Sequence, residues 1–142
     1  MPSDSTTLYV VLDIGKNVHW LGAYAGFDLH PVIAPLEIRS DRPGFERVTT
    51  LIDGLLAGGA YSRVVLGHEP TGVYHEAWAR ALMERYAAHL QGNATPPLDY
   101  RFLNPLLTKR KREELARGRK RKTDAKDCEW IADLLQHGLL KG

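Results

Sequence analysis

One cysteine in 142 residues, Cys128, leaves no disulfide framework and no cysteine-rich zinc site to build, and the scarcity points to a reducing, intracellular setting. No apolar run approaches the roughly 20 residues that cross a bilayer. Met1-Pro2-Ser3-Asp4-Ser5 lacks the basic start and greasy middle of a signal peptide. A cytoplasmic protein with no membrane partner is therefore expected. No internal repeat or low-complexity tract stands out. What remains is 44% hydrophobic and 25% charged, the balance of a folded protein and not of a disordered one. Residues 1–142 suffice for a single domain, which at this size buries roughly 70% of its unfolded surface without staples.

The formal net charge of +2 hides an asymmetry. Between residues 109 and 126, Lys109, Arg110, Lys111, Arg112, Arg117, Arg119, Lys120, Arg121, Lys122 and Lys126 meet only Glu113, Glu114 and Asp124, a local balance of +7 against −5 for the rest of the chain. A mildly acidic body with one strongly basic segment suggests a polyanionic partner, most often nucleic acid. A charge run is usually a solvated helix face. Here it carries Gly118 and stops at a group of acids, so contact with a phosphate backbone is the favoured reading, salt-sensitive and largely sequence-independent.

The apolar run Leu8–Leu12 shows no polar alternation and predicts a strand buried on both faces, central in a sheet. His19–Ala25 and Val32–Ile38 follow across short turns, predicting a three-stranded antiparallel meander, with Pro35 demoting the third strand to an edge. Asp41 and Pro43 open a helix whose apolar residues run from Phe45 to Leu55 and which Gly58-Gly59 stops. Arg63–Gly67 predicts a fourth strand, Val73–Tyr86 a second helix, Leu90–Leu98 an exposed loop, Tyr100–Leu103 a fifth strand and Thr123–Leu140 a last helix. The order β-β-β-α-β-α-β-α argues for an α/β domain with a mixed sheet, as in the ribonuclease-H-like fold. Actin-like sugar kinases share its start, so topology alone assigns no activity.

Four acids draw together in that scheme. Asp13 ends the central strand, and Glu69 ends the strand after the first helix, at the same carboxyl edge if the two run parallel; ligands in open α/β sheets bind beyond that edge. On the last helix, Asp124 and Asp127 fall on the side of Cys128, Ile131, Leu134 and Leu135, and are expected to point inwards. Two carboxylates on an apolar side repel each other and resist desolvation unless a cation lies between them. Oxygen ligands suit Mg2+ or Mn2+, and two such ions roughly 3.5–4 Å apart serve phosphodiester chemistry.

Each acid also has an ordinary reading. Asp13 can open a turn before Ile14-Gly15, Glu69 can pair with Arg63 or His68, and Asp124 and Asp127 can complement a helix N-terminus capped by Thr123. Singly these readings compete; jointly they leave the inward direction and the two strand-end acids unexplained. Thr71, Gly72 and Tyr74 read as cap, turn and core residues. Trp20, Trp78 and Trp130 read as packing, and Cys128 as a buried inert thiol. The histidines show no ligand spacing, and His68 is at most a supporting neighbour of Glu69.

Leu12-Asp13-Ile14-Gly15-Lys16, Gly67-His68-Glu69-Pro70-Thr71-Gly72-Val73-Tyr74, Asn104-Pro105 and Lys122-Thr123-Asp124-Ala125-Lys126-Asp127 together resemble the N-terminal domain of DEDD-type insertion-sequence transposases. That group includes pilin-gene-inverting site-specific recombinases and bridge-RNA-guided recombinases. The similarity runs from about Tyr9 to Leu140. It implies a RuvC-like fold, like the Holliday-junction resolvases, with Asp13, Glu69, Asp124 and Asp127 as a catalytic tetrad holding Mg2+. It also implies DNA strand cleavage and transfer, a guide RNA as a further partner, and a homo-oligomer in the full-length protein. Full-length members carry a second, serine-bearing domain, which these 142 residues do not include. Two readings compete with transposase: a hydrolytic Holliday-junction-resolvase-like nuclease, and a non-catalytic RNA- or DNA-binding module whose acids merely cap elements.

Overall fold

A computed structural model describes residues 7–15, 17–69, 74–103 and 124–141, with 74, 124–127 and 138–141 as backbone. Its strands are β1 (Thr7–Ile14), β2 (Val18–Ala25), β3 (His30–Arg39), β4 (Arg63–His68) and β5 (Leu98–Phe102). Its helices are α1 (Arg42–Ala57), α2 (Tyr74–Arg85), the single turn α3 (Ala87–Leu90) and α4 (Asp124–Lys141). The five strands form one mixed sheet in the order β3-β2-β1-β4-β5. β2 is antiparallel to β1 and to β3, whereas β1, β4 and β5 run parallel. This is an α/β architecture compatible with a ribonuclease-H-like fold.

Strand alternation explains the layers. In β1, Leu8, Val10 and Leu12 join Leu21 and Ala23 of β2 and Val64 and Leu66 of β4 in a core closed by Val48, Ile52 and Leu56 of α1 and by Trp78 and Leu82 of α2. The intervening Tyr9 and Val11, with Tyr24 and Val65, pack on Cys128, Ile131, Ala132 and Leu135 of α4. A strand covered on both faces has no place for polar alternation, which is why β1 reads as a continuous apolar run. β3 lies at the edge, as Pro35 predicts, and its residues are largely exposed.

Helix α1 starts as its sequence dictates. The Asp41 carboxylate caps it by accepting from the Gly44 N–H at 2.9 Å. Glycine is required at that point, because a Cβ on Gly44 would fall 1.9 Å from the Arg39 carbonyl oxygen. Gly58 caps the other end, and Gly59 leaves the helix with φ +71°. The α2 end is tied to α1 where Tyr86 and Arg85 both donate to the Asp53 carboxylate.

Two expectations need correction. Leu90 closes the extra turn α3, so the loop between α2 and β5 begins one residue later than predicted. On α4 the covered stripe is centred on Cys128, Ile131, Ala132 and Leu135, while Leu134 is only half-buried. No helix among the described residues is long and apolar enough to cross a membrane.

Candidate functional site

The parallel pairing of β1 with β4 matches Val11 to Gly67. Continued two residues beyond this last pair, to the carboxyl edge, the register would set Asp13 opposite Glu69. Both acids are half-buried, and both engage neighbouring groups. Alternation puts Asp13 in the row of Tyr9 and Val11, and Glu69 in the row of Val65 and Gly67, the rows that α4 covers. Neighbouring strands lie about 4.8 Å apart, so two carboxylates in this arrangement can reach one cation.

The direction of α4 follows from its contacts. Cys128 packs at Gly22, where an added Cβ would come 3.3 Å from its own Cβ. Gln136, two turns later, donates to the carbonyls of Gly26 and Phe27 at 3.2 and 3.3 Å. Gly22 pairs with Val11, and Gly26 lies just past the Leu8–Ala25 pair, at the amino edge of β1. The helix therefore runs antiparallel to β1 and starts at the carboxyl edge. Four residues of helix rise about 6 Å, close to two residues of strand, so the backbone of Asp124 comes level with Asp13.

Of the four predicted acids, the side chains of Asp13 and Glu69 are described; those of Asp124 and Asp127 lie outside the described residues, as does that of Lys126. The basic positions from Lys109 to Lys122 also lie outside them, as do Thr71, Gly72, Asn104 and Pro105, together with the Tyr74 side chain. Among the described residues no group of three or more His, Cys, Asp or Glu could hold a metal ion. Of the two partners considered for Glu69, Arg63 binds Asp99 at 3.0 Å, whereas His68 lies close enough to feel the Glu69 carboxylate, which raises its pKa against the effect of burial.

Two histidines lie beneath this edge, on the opposite face of the sheet: His68, expected as at most a supporting neighbour of Glu69, and His19, to which the sequence assigned no role. His19 and His68 are both fully buried. The Gly15 N–H donates to His19 Nδ1 at 3.0 Å, just beyond Asp13. His68 Nδ1 lies 3.0 Å from the Glu69 carbonyl oxygen, and its Nε2 meets the Tyr100 hydroxyl. A carbonyl only accepts, so His68 carries its proton on Nδ1 and takes the Tyr100 O–H at Nε2. The available signal was positional: His19 precedes Leu21 and Ala23, and His68 follows Val64 and Leu66, each on the row that faces the larger core.

The sequence profile of the DEDD-type IS110 family, described as transposase, matches residues 10–142. The chain belongs to the DEDD-type IS110 transposase family. No curated protein matches it. Among solved structures, the crystal structure of Archaeoglobus fulgidus Pelota is 16% identical with a TM-score of 0.41, a likeness that carries no argument. The match covers 95% of this chain, which spans 40% of the Pelota chain.

Within this transposase-family domain the buried histidines make stability depend on pH. Burial holds both imidazoles below the usual 6.5; hydrogen bonds to backbone, at Val18 for His19 and at Glu69 for His68, oppose this, and the nearby His75 and His19 depress His68 further. Above about pH 6.5 both the folded and unfolded forms are neutral, and there is no penalty. Below it the unfolded chain takes up protons that the folded chain refuses, so stability falls with falling pH until the depressed folded pKa values are passed. Thermal melts between pH 7.5 and 5.5 should show a loss of at most about 1.4 kcal/mol per pH unit for each histidine. A His68→Phe variant should show a shallower slope; an unchanged slope would contradict the assignment.

Proposed function

We propose that this chain is the metal-dependent, ribonuclease-H-like (RuvC-like) catalytic domain of a DNA transposase or site-specific recombinase, one domain over residues 1–142. The observation that carries the reading is the parallel register of β1 and β4, whose last pair is Val11 with Gly67; continued by two residues it sets Asp13, within β1, opposite Glu69, just after β4, on the face covered by the helix that begins at Asp124. Family membership supports it, since DEDD-type transposases generally use a divalent metal.

The donor set fits a hard cation. Asp13 and Glu69 offer only carboxylate oxygens, held half-buried on neighbouring strands, and Asp124 and Asp127 would complete the set from the first turn of α4. When bound, Mg2+, or Mn2+ in its place, neutralises these carboxylates and polarises a phosphodiester. The strands fix the spacing of the two acids, and α4 closes one side of the crevice to solvent. Lys109, Arg110, Lys111, Arg112, Arg117, Arg119, Lys120, Arg121, Lys122 and Lys126 supply the phosphate contacts, to DNA and, by family resemblance, to a guide RNA. By family resemblance, the attacking hydroxyl would come from the serine of the second domain that full-length members carry, in a homo-oligomer.

The test is binding of a labelled DNA duplex to this chain over a salt series, with and without Mg2+. Six or more phosphate contacts would reduce affinity by roughly 10³-fold or more between about 50 and 200 mM salt. Mg2+ held by the acids would cancel their repulsion of the phosphate backbone, so binding should tighten in its presence. Binding that is absent, or indifferent to both salt and Mg2+, overturns the proposal. Strand scission by this chain alone would instead indicate the hydrolytic, resolvase-like alternative.

A further inference from the structure

We propose that His19 and His68 are positioning residues for the carboxylate edge, acting through the backbone from the buried side of the sheet; this rests on Asp13 and Glu69 being metal ligands. The two strand ends that carry the acids each leave the sheet beside a buried imidazole. After β1, the Gly15 N–H is taken by His19 Nδ1 at 3.0 Å, and the turn there is tight, since a Cβ on Gly15 would lie 2.5 Å from the Val18 carbonyl oxygen. After β4, the Glu69 carbonyl is taken by His68 Nδ1 at 3.0 Å.

Each imidazole is itself braced. The ring of Trp78 stands edge-on to His19, with centroids 4.6 Å apart. The Tyr100 hydroxyl donates to His68 Nε2, and Phe102 flanks the same ring. The bonds have opposite polarity. His19 accepts at Nδ1 and so carries its proton on Nε2; His68 donates from Nδ1 and accepts at Nε2. Opposite tautomers in one layer follow from what each backbone segment presents to its ring, an N–H at Gly15 and a carbonyl at Glu69. Fixing those groups fixes the departure of both chains from the sheet, and with it the separation of the two acids across the crevice.

Asparagine and leucine separate positioning from packing, because their side chains share one branched skeleton of heavy atoms while only asparagine has a polar atom near the place of Nδ1. Its Oδ1 can accept from Gly15 in His19→Asn, and its Nδ2 can donate to Glu69 in His68→Asn. Calorimetric Mn2+ titration at a temperature below all melting transitions is the measurement. The His19→Leu and His68→Leu variants should lose affinity roughly 10–100-fold, the range for loss of a partner that orients a ligand, while the Asn variants stay within about threefold of wild type. In the wild type, imidazole 15N shifts should report the Nε2–H tautomer for His19 and the Nδ1–H tautomer for His68, a measurement independent of any variant's folding. Equal losses in the Asn and Leu variants, wild-type affinity in the Leu variants, or a different pair of tautomers overturns the proposal while leaving the metal ligands standing. A wild type that binds no Mn2+ overturns the metal reading, and this proposal with it.

Discussion

Replacing Asp13 with asparagine should remove Mn2+ binding from this chain without unfolding it, and Glu69→Gln should do the same. Both changes keep the shape of the side chain and delete the charge. Without metal, the wild type holds two half-buried carboxylates side by side at the edge of β1 and β4, and like charges at that spacing repel. The metal-free variants lose that repulsion together with whatever the two charges hold on neighbouring groups, and should still melt cooperatively. The larger difference appears with Mn2+. At a concentration one hundred times Kd, the ion should stabilise the wild type by about 2.7 kcal/mol and leave the variants unmoved. The loss of affinity should exceed the roughly 10–100-fold expected when only an orienting partner is lost. Titration and thermal melts on the same samples check both halves. Binding heat that persists undiminished in both variants would remove these two acids from the site.

The second large effect is expected at Gly67, which bears no charge and no functional group. It lies on β4 between Val65 and Glu69, under α4. A Cβ there would come 2.5 and 2.8 Å from the two methyl carbons of Leu135 and 3.1 Å from its Cγ. Leu135 is itself buried, so it cannot swing into solvent; it must find another rotamer or α4 must rise. Gly67→Ala should cost about 1–3 kcal/mol, the usual penalty for overpacking, and Gly67→Val more. Because α4 carries Asp124 on its first turn, the lifted helix should also bind Mn2+ less tightly. Leu135→Ala alone should cost about 2–5 kcal/mol as a cavity. The Gly67→Ala/Leu135→Ala pair should be less destabilised than the two changes summed, since the new methyl occupies the space vacated. Urea denaturation of the four proteins tests this; strict additivity would mean that the contact does not govern how α4 sits.

Much of this was visible before any coordinates. β1 declared itself by an apolar run that only a doubly covered strand can carry, β3 by its proline, and α1 by Asp41, Pro43 and Gly58-Gly59, because each signal is local chemistry. Asp13 and Glu69 could be put at one edge as soon as β1 and β4 were taken as parallel. Other features needed the assembled sheet. The turn α3, Ala-Ala-His-Leu, has no side-chain cap and is too short for a periodic pattern. The covered stripe of α4 takes in Ala132 rather than Leu134, because it is set by where the helix crosses β1, β2 and β4. His19 stayed hidden, and His68 was expected only as a supporting neighbour of Glu69, because an imidazole on an apolar row has no diagnostic spacing. Their bonds arise only when the turn after Ile14 and the strand β5 bring Gly15 and Tyr100 to them.

The chain leaves β5 at Leu103, whose N–H donates to the carbonyl of His68 at the carboxyl edge, and it re-enters described structure at Asp124, at that same edge. Residues 104–123, with nine lysines and arginines between Lys109 and Lys122, are thus tethered at both ends next to Asp13 and Glu69. On the proposed reading, a phosphate held by that segment is tied to the acids through two connections and not one.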